Sequence, residues 1–317
     1  MKIGILTFHF ARNYGAVLQC YALQESLREA CGDTVVIDYR PHTVASNYKI
    51  FDVHRFWGRT PSKFLHKTRH EIEVLPTRRR RFHAFEKFLE DHISLSGDIS
   101  GCERVIVGSD QVWNTRITKG FDPLYWGNRI EAPVFSYAAS VGNAEEKDLH
   151  QAVELLKKNF RAISLREASD IIPGRTDVDP CFLPDISLWN ALADESLLDT
   201  SEPYVLLYIV KPSSEAHSYA ESEARTRGLR LLILSAKIEM VNSPEVAAAS
   251  PADFVKLVRD ASLVVTTSFH GTAFSIIFGK EFKSFCADNR ILGLLDSSEP
   301  MSERIARSKE YIKEIVR

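Results

Sequence analysis

Histidine beside glycine at a strand-to-helix step is the feature of this chain best suited to chemistry. In Val264-Val265-Thr266-Thr267-Ser268-Phe269-His270-Gly271-Thr272-Ala273-Phe274, an apolar β-rich run gives way to a good helical continuation over 273–278. Such a run, bounded by small polar residues, suits a strand covered on both faces in a parallel sheet. His270 would then stand at a strand's carboxyl end beside a helix N-terminus, whose N–H groups favour an anion. Open α/β sheets bind their ligands there. Gly271 allows a close backbone approach or an unusual dihedral. The bland alternative is a polar turn with one satisfied histidine.

Three further constellations fall at expected strand ends. In Asn13-Tyr14-Gly15-Ala16, Gly15 at a helix start could turn backbone donors towards a phosphate or carboxylate, or Asn13 could simply cap the helix. In Val107-Gly108-Ser109-Asp110-Gln111-Val112-Trp113-Asn114, several polar groups cluster with one large aromatic, as in carbohydrate sites. Trp113 would be a platform for a sugar face, with Gln111 and Asn114 for its hydroxyls; the competing readings are a helix cap for Asp110 and core for Trp113. In Ser164-Leu165-Arg166-Glu167, Arg166 could grip a carboxylate or phosphate bidentately, or pair with Glu167 at the surface. The run Arg78-Arg79-Arg80-Arg81 reads as a solvated helix face with Phe82, Phe85, Phe88 and Leu89 on its buried side, or as a contact for an anionic lipid surface.

Placing these residues requires alternating strands and helices, and the sequence supplies them. Residues 2–8, 34–39, 104–107, 134–138 and 162–165 read as strands of a first series; Ala16, Cys20, Leu23 and Leu27 form a helical stripe ending near Gly32. Residues 174–202, with Gly174, Pro180 and Pro184, lack a sustained period and mark a boundary. A second series follows at 204–210, 231–235, 264–267 and 283–287, with a strong helix start at Ser250-Pro251-Ala252-Asp253. The expectation is an α/β chain of two Rossmann-type domains whose parallel sheets face a central cleft. Residues 1–185 would form an N-terminal domain with a basic helical insertion at about 42–92, and 203–295 a C-terminal domain. Residues 296–317 would form a terminal helix packing back on the first domain.

Composition excludes several classes. A formal net charge of −2 over 317 residues argues against a dedicated nucleic-acid binder. Five scattered cysteines without a C-x-x-C pair fit a reducing compartment rather than a disulfide framework or structural zinc. No metal site is expected, because the ten histidines include no H-E-x-x-H. No apolar run reaches the ~18 residues of a membrane span. With a strand entered directly from Met1, a cytoplasmic protein is expected.

Taken together, residues 4–9 and 13–24 with their Asn-Tyr-Gly-Ala and Gln-x-Tyr-Ala-Leu-Gln segments, residues 107–114, Ser136-Tyr137-Ala138-Ala139-Ser140, residues 164–167 and residues 266–278 resemble the polysaccharide pyruvyl transferase family. Their order and spacing match along nearly the whole chain. The resemblance implies a GT-B-like pair of domains and no cofactor, with phosphoenolpyruvate as co-substrate. The acceptor would be a hexose in a surface glycan or its lipid-linked oligosaccharide precursor, reached at the inner face of the membrane. His270 matches the family's histidine and would be the acid/base, since forming the ketal requires protonating the enol's methylene carbon. Arg166, Ser268, Gly271 and Thr272 would bind the donor, and Asn13, Tyr14, Gly15, Gln111, Trp113 and Asn114 the acceptor. Asp110 is a base or hydroxyl-binding group by position. Many members carry arginine where this chain has Ser268, and Arg290 is the expected substitute. A nucleotide-sugar glycosyltransferase and a non-catalytic glycan-binding member of an assembly system stay open as alternatives.

Overall fold

The computed structural model describes residues 1–48, 61–286, 291, 294–295 and 299–317. Among these, no helix is long and apolar enough to cross a membrane. The chain divides into two compact units. One comprises Met1–Ser46, Leu89–Ser187 and Asp288–Arg317, the other Asn47–Phe88 and Leu188–Ala287.

The first unit is built on a six-stranded sheet of β1 (Lys2–Leu6), β2 (Asp33–Ile37), β3 (Leu95–Ser96), β4 (Arg104–Val107), β5 (Val134–Ser136) and β6 (Phe160–Ala162). The strands run parallel in the order β3-β2-β1-β4-β5-β6, with Ile5 opposite Val36 on one side and Ile106 on the other. The order therefore reverses between β1 and β4, where doubly wound sheets open a crevice at the strands' carboxyl ends. Ile3, Ile5, Val36, Val105, Ile106 and Val107 are fully buried, as strands covered on both faces must be. A parallel pair, β7 (Ser164–Leu165) and β8 (Arg175–Thr176), extends the unit. Residues 162–165, expected as one strand, are thus divided between β6 and β7.

The helix Met301–Val316 belongs to this unit, and four contacts are prominent among those that hold it. The Tyr311 hydroxyl donates to the Ser136 carbonyl (3.0 Å), Arg104 donates to the Ile315 carbonyl (2.9 Å), and the Arg175 guanidinium lies 4.4 Å over the Tyr311 ring. The fourth is Asp177, whose fully buried carboxylate accepts from Ser308 (2.8 Å), Ser164 (2.6 Å) and Arg175 (2.9 and 3.0 Å).

The second unit carries β9 (Tyr204–Ile209), β10 (Arg230–Ser235), β11 (Leu263–Thr266) and β12 (Phe282–Ser284), parallel in the order β10-β9-β11-β12. The helix Ser214–Arg227 starts on a Ser213 cap and stops at Gly228 with φ +65, a left-handed stop that suits glycine. Ala216, Ala220 and Ala224 let it lie close on Val205, Leu207 and Val265. The helix Pro251–Asp260 opens with a full capping box between Ser250 and Asp253, the start signal read in the sequence.

The basic stretch corrects the sequence reading. Residues 47–88 group with the second unit and not, as an insertion at about 42–92, with the first. The long helix Pro61–His92 carries the arginine run, and Arg79 and Arg80 are exposed. Arg81 is instead buried, its Nε donating to the Ala247 carbonyl and its Nη1 to the Ser235 carbonyl, both at 2.7 Å. One member of an apparently solvated run is therefore an anchor.

Asp177→Ala would leave three donors of the first unit without their acceptor. It should lower unfolding free energy by about 2–4 kcal/mol, read from urea denaturation against wild type.

Candidate functional site

At the carboxyl edge of the first sheet, the loop after β1 turns through Phe8–Ala11 and ends on Asn13, whose Oδ1 accepts from Gly15 N–H at 3.0 Å. Asn13 is thus the helix cap, Tyr14 and Gly15 are buried beneath it, and the Gly15 N–H is taken by Asn13. After β4, Gly108 takes φ +114; a Cβ there would lie 2.4 Å from the Tyr137 carbonyl oxygen. The buried Ser109 hydroxyl donates to Gln19 (3.0 Å), and Thr7 donates to the Ser109 carbonyl (3.0 Å). Asp110 is half-buried at φ +69; its carboxylate accepts from Gln111 N–H (2.8 Å) and its carbonyl from Ser140 N–H (2.8 Å).

Trp113 does not form the platform expected within 111–114. Trp113 is fully buried, donates to the Tyr125 carbonyl (2.8 Å) and stacks on Trp126 at 5.6 Å between centroids, so it is core. Asn114, also fully buried, caps the short helix Thr115–Thr118 and donates to Gln111 and Asn143 (2.9 Å each). The Gln111 amide oxygen is therefore engaged within the loop. These polar side chains cluster because a tight loop must satisfy its own buried groups.

Arg166 follows β7 and is buried. Its guanidinium lies 3.1 Å from the Asp179 carboxylate and donates to Gln19, while its N–H donates to the Ala139 carbonyl at 3.1 Å. It is therefore neither a surface partner of Glu167 nor, in this arrangement, an uncompensated charge. Glu167 turns elsewhere and accepts from the Ser140 hydroxyl (2.8 Å) and from the N–H groups of Val141 (2.9 Å) and Gly142 (3.1 Å). Burial, with Asp179 beside it, pushes the Cys181 thiol well above its ordinary range, which removes it as a nucleophile.

One pair escaped the sequence reading. His9 is fully buried, with Nε2 2.9 Å from Asp38 Oδ1 and Nδ1 3.3 Å from the Thr7 carbonyl. Since a carboxylate only accepts, Nε2 carries the proton. Burial lowers the His9 pKa below 6.5 and outweighs Asp38, which raises it. Burial also raises the Asp38 pKa, but the hydrogen bonds from Arg40 and His9 outweigh that and hold the carboxyl below its usual range. The 29-residue separation hid the pair, although His9 directly follows one expected strand and Asp38 lies near the end of the next.

In the second unit the helix Phe269–Ile277 starts at Phe269, ahead of the histidine-glycine step expected to break the strand. Ser268 is its cap: the hydroxyl accepts from Gly271 N–H (3.4 Å), and the carbonyl accepts from both the N–H and the hydroxyl of Thr272 (3.1 Å each). Thr267 Oγ1 accepts from the N–H groups of Val210 (3.0 Å) and Lys211 (3.2 Å), tying the end of β9 to this turn. His270 occupies the first turn, buried to 7% exposure. A Cβ on Gly271 would sit 2.3 Å from Thr266 Oγ1 and 2.9 Å from the Tyr208 ring. The close approach this glycine allows is helix on strand. Thr272, expected to touch the donor, is fully buried, with its hydroxyl 2.9 Å from Ser284. Arg290 lies outside the described residues.

Two outcomes follow from this packing. Gly271→Ala should cost about 1–3 kcal/mol of stability by overpacking, measured as a lowered denaturation midpoint. For His9, the unfolded chain binds the proton near pH 6.5 and the folded chain only below that. Stability is therefore full above about 6.5 and falls as pH drops towards the folded value. Urea midpoints between about pH 8 and 5 should show a shallower slope in His9→Asn than in wild type.

No curated protein matches the chain at a significant level. Among solved structures, it is similar over 99% of its length, and 93% of the other chain, to a UDP-GlcNAc 2-epimerase from Methanocaldococcus jannaschii, with 9% identity and a TM-score of 0.42. A UDP-GlcNAc 2-epimerase from Neisseria meningitidis, bound to UDP-GlcNAc, gives 12% identity and 0.42, covering 100% and 94%. The E. coli ADP-heptose lipopolysaccharide heptosyltransferase II gives 11% and 0.35, covering 90% and 84%. Likenesses so distant carry no argument. The family described as polysaccharide pyruvyl transferase matches residues 13–283, a span that includes the Asn13 cap, Asp110, Arg166 and the His270 turn. The chain belongs to the polysaccharide pyruvyl transferase family.

Proposed function

We propose that this transferase moves pyruvate from phosphoenolpyruvate to a hexose of a surface polysaccharide or its lipid-linked precursor, forming a pyruvate ketal. The observation that carries the reading is His270, held in the first turn of a helix that starts at the carboxyl end of β11, inside the family match. A helix start favours an anion, and an imidazole there can give and take a proton beside it. In the reaction, His270 gives its proton to the donor's methylene carbon, and positive charge develops at the adjacent ester carbon. One sugar hydroxyl bonds to that carbon, the bond from that carbon to the phosphate oxygen breaks, and a second hydroxyl closes the ketal. One hydroxyl proton restores His270, and the other leaves with the phosphate.

The chain's residues divide the work. Ser268 fixes the first turn that orients His270, and Gly271 and Thr272 seat that turn on β11 and β12. Asp110, held at the end of β4, is the proposed hydroxyl-binding group or base. A lipid-linked acceptor would bring the chain to the cytoplasmic face of the membrane, where the exposed Arg79 and Arg80 suit anionic headgroups.

The test is phosphate release from phosphoenolpyruvate in the presence of hexosides, with ketal formation followed by mass spectrometry. His270→Ala should lower kcat by about 10²–10⁴-fold while its thermal midpoint stays close to wild type. Stabilisation of the wild type by UDP or GDP, with none from phosphoenolpyruvate beyond that from phosphate, would replace this reading with glycosyl transfer.

A further inference from the structure

We propose that the Asp38 carboxylate binds hydroxyl groups of the acceptor sugar, with His9 as the positioning residue that aims it. The inference rests on the transferase reading above and names one of its contacts.

Asp38 is the first residue after β2, and His9 is the third after β1, its direct neighbour in the sheet. Both therefore stand outside the strands' carboxyl ends, the ligand-facing edge of a doubly wound sheet. An acid at the end of the second strand is the group that accepts sugar hydroxyls in Rossmann-type sites, because a carboxylate takes two O–H donors at once.

The local geometry prepares such a contact. His9 Nε2 (2.9 Å) and Arg40 Nε (2.5 Å) both reach Oδ1, and no described residue donates to Oδ2. The Asp38 side chain is 35% exposed while His9 beneath it is fully sealed, so one oxygen is anchored from the protein side and the other is open. The imidazole Nε2–H fixes the carboxylate from the protein side. The partner that offsets the charge, Arg40, is itself 37% exposed and can move aside. Lining the same edge, Tyr39 donates to Asp122 (2.8 Å) and sets its ring edge-on to Tyr125 at 5.5 Å. The recognised group is a neutral polyhydroxyl ligand: a phosphate or carboxylate would be repelled by Asp38.

The experiment uses 4-nitrophenyl hexopyranosides of gluco, galacto and manno configuration as probes. Binding is read by saturation-transfer NMR on wild type, Asp38→Asn and His9→Asn, with stabilisation by phosphoenolpyruvate measured in parallel. At least one hexoside should bind the wild type, with its dissociation constant raised about tenfold or more in Asp38→Asn. His9→Asn should raise it by a smaller factor, and the shift with phosphoenolpyruvate should be unchanged in both variants. Asp38→Glu keeps the charge and should recover part of the binding, and it replaces Asp38→Asn if that variant does not fold. Equal hexoside affinity in wild type and Asp38 variants overturns the proposal, as does failure of every hexoside to bind a wild type that phosphoenolpyruvate still stabilises. Loss of the phosphoenolpyruvate effect in the wild type would instead overturn the transferase reading itself.

Discussion

The β1 backbone is bonded to β2 on one side and β4 on the other, both parallel to it, and Ile3, Ile5 and Leu6 are sealed from solvent. A strand buried in this way has no room for an unmatched polar side chain. In a parallel sheet, moreover, all carboxyl ends fall along one edge. Polar groups are therefore driven out of the strands into the loops that follow them. In both units the residues of chemical interest obey this rule: His9, Asp38, Asp110 and Arg166 in the first, and Ser268 with His270 in the second.

Groups that do go inside are matched one against another. Arg166 meets Asp179, Gln19 meets both Ser109 and Arg166, and Asp177 collects hydroxyls from β7 and the C-terminal helix. The Gln19 pairings and the Ser308–Asp177 bond join segments far apart in the chain, so the polar interior also sets how the loops are held. Buried charges are costly to leave uncompensated, which makes these networks rigid supports for the edge above them. Arg81 does the same in the second unit by capping the carbonyl of Ser235, the last residue of β10, and that of Ala247, ahead of the helix Pro251–Asp260.

Ser268 shows how one side chain sets the local turn that holds a residue of interest. Its hydroxyl accepts the Gly271 N–H and closes the first turn around His270, a bond that an arginine side chain, having only donors, could not make. The field of the helix start lies beside His270, which occupies that first turn.

Features set by short-range chemistry were legible in the sequence. The Asn13 cap, the Ser250–Asp253 box, the alternating strands and helices and the strand-end position of His270 depend on neighbours a few residues away. Features that depend on a distant partner were not. Trp113 and Asn114 look the same in sequence whether they face a ligand or the core, and only Trp126, Tyr125 and Asn143 decide for the core. His9 and Asp38 meet because β1 and β2 pair in register, and residues 47–88 join the second unit through carbonyls more than 150 residues from Arg81. The sequence by itself determined which segments form strands and helices and where polar loops fall, since propensity, capping and periodicity are local. Only the tertiary structure decided which of those polar groups are spent on one another, because burial and pairing belong to partners that the fold alone brings together.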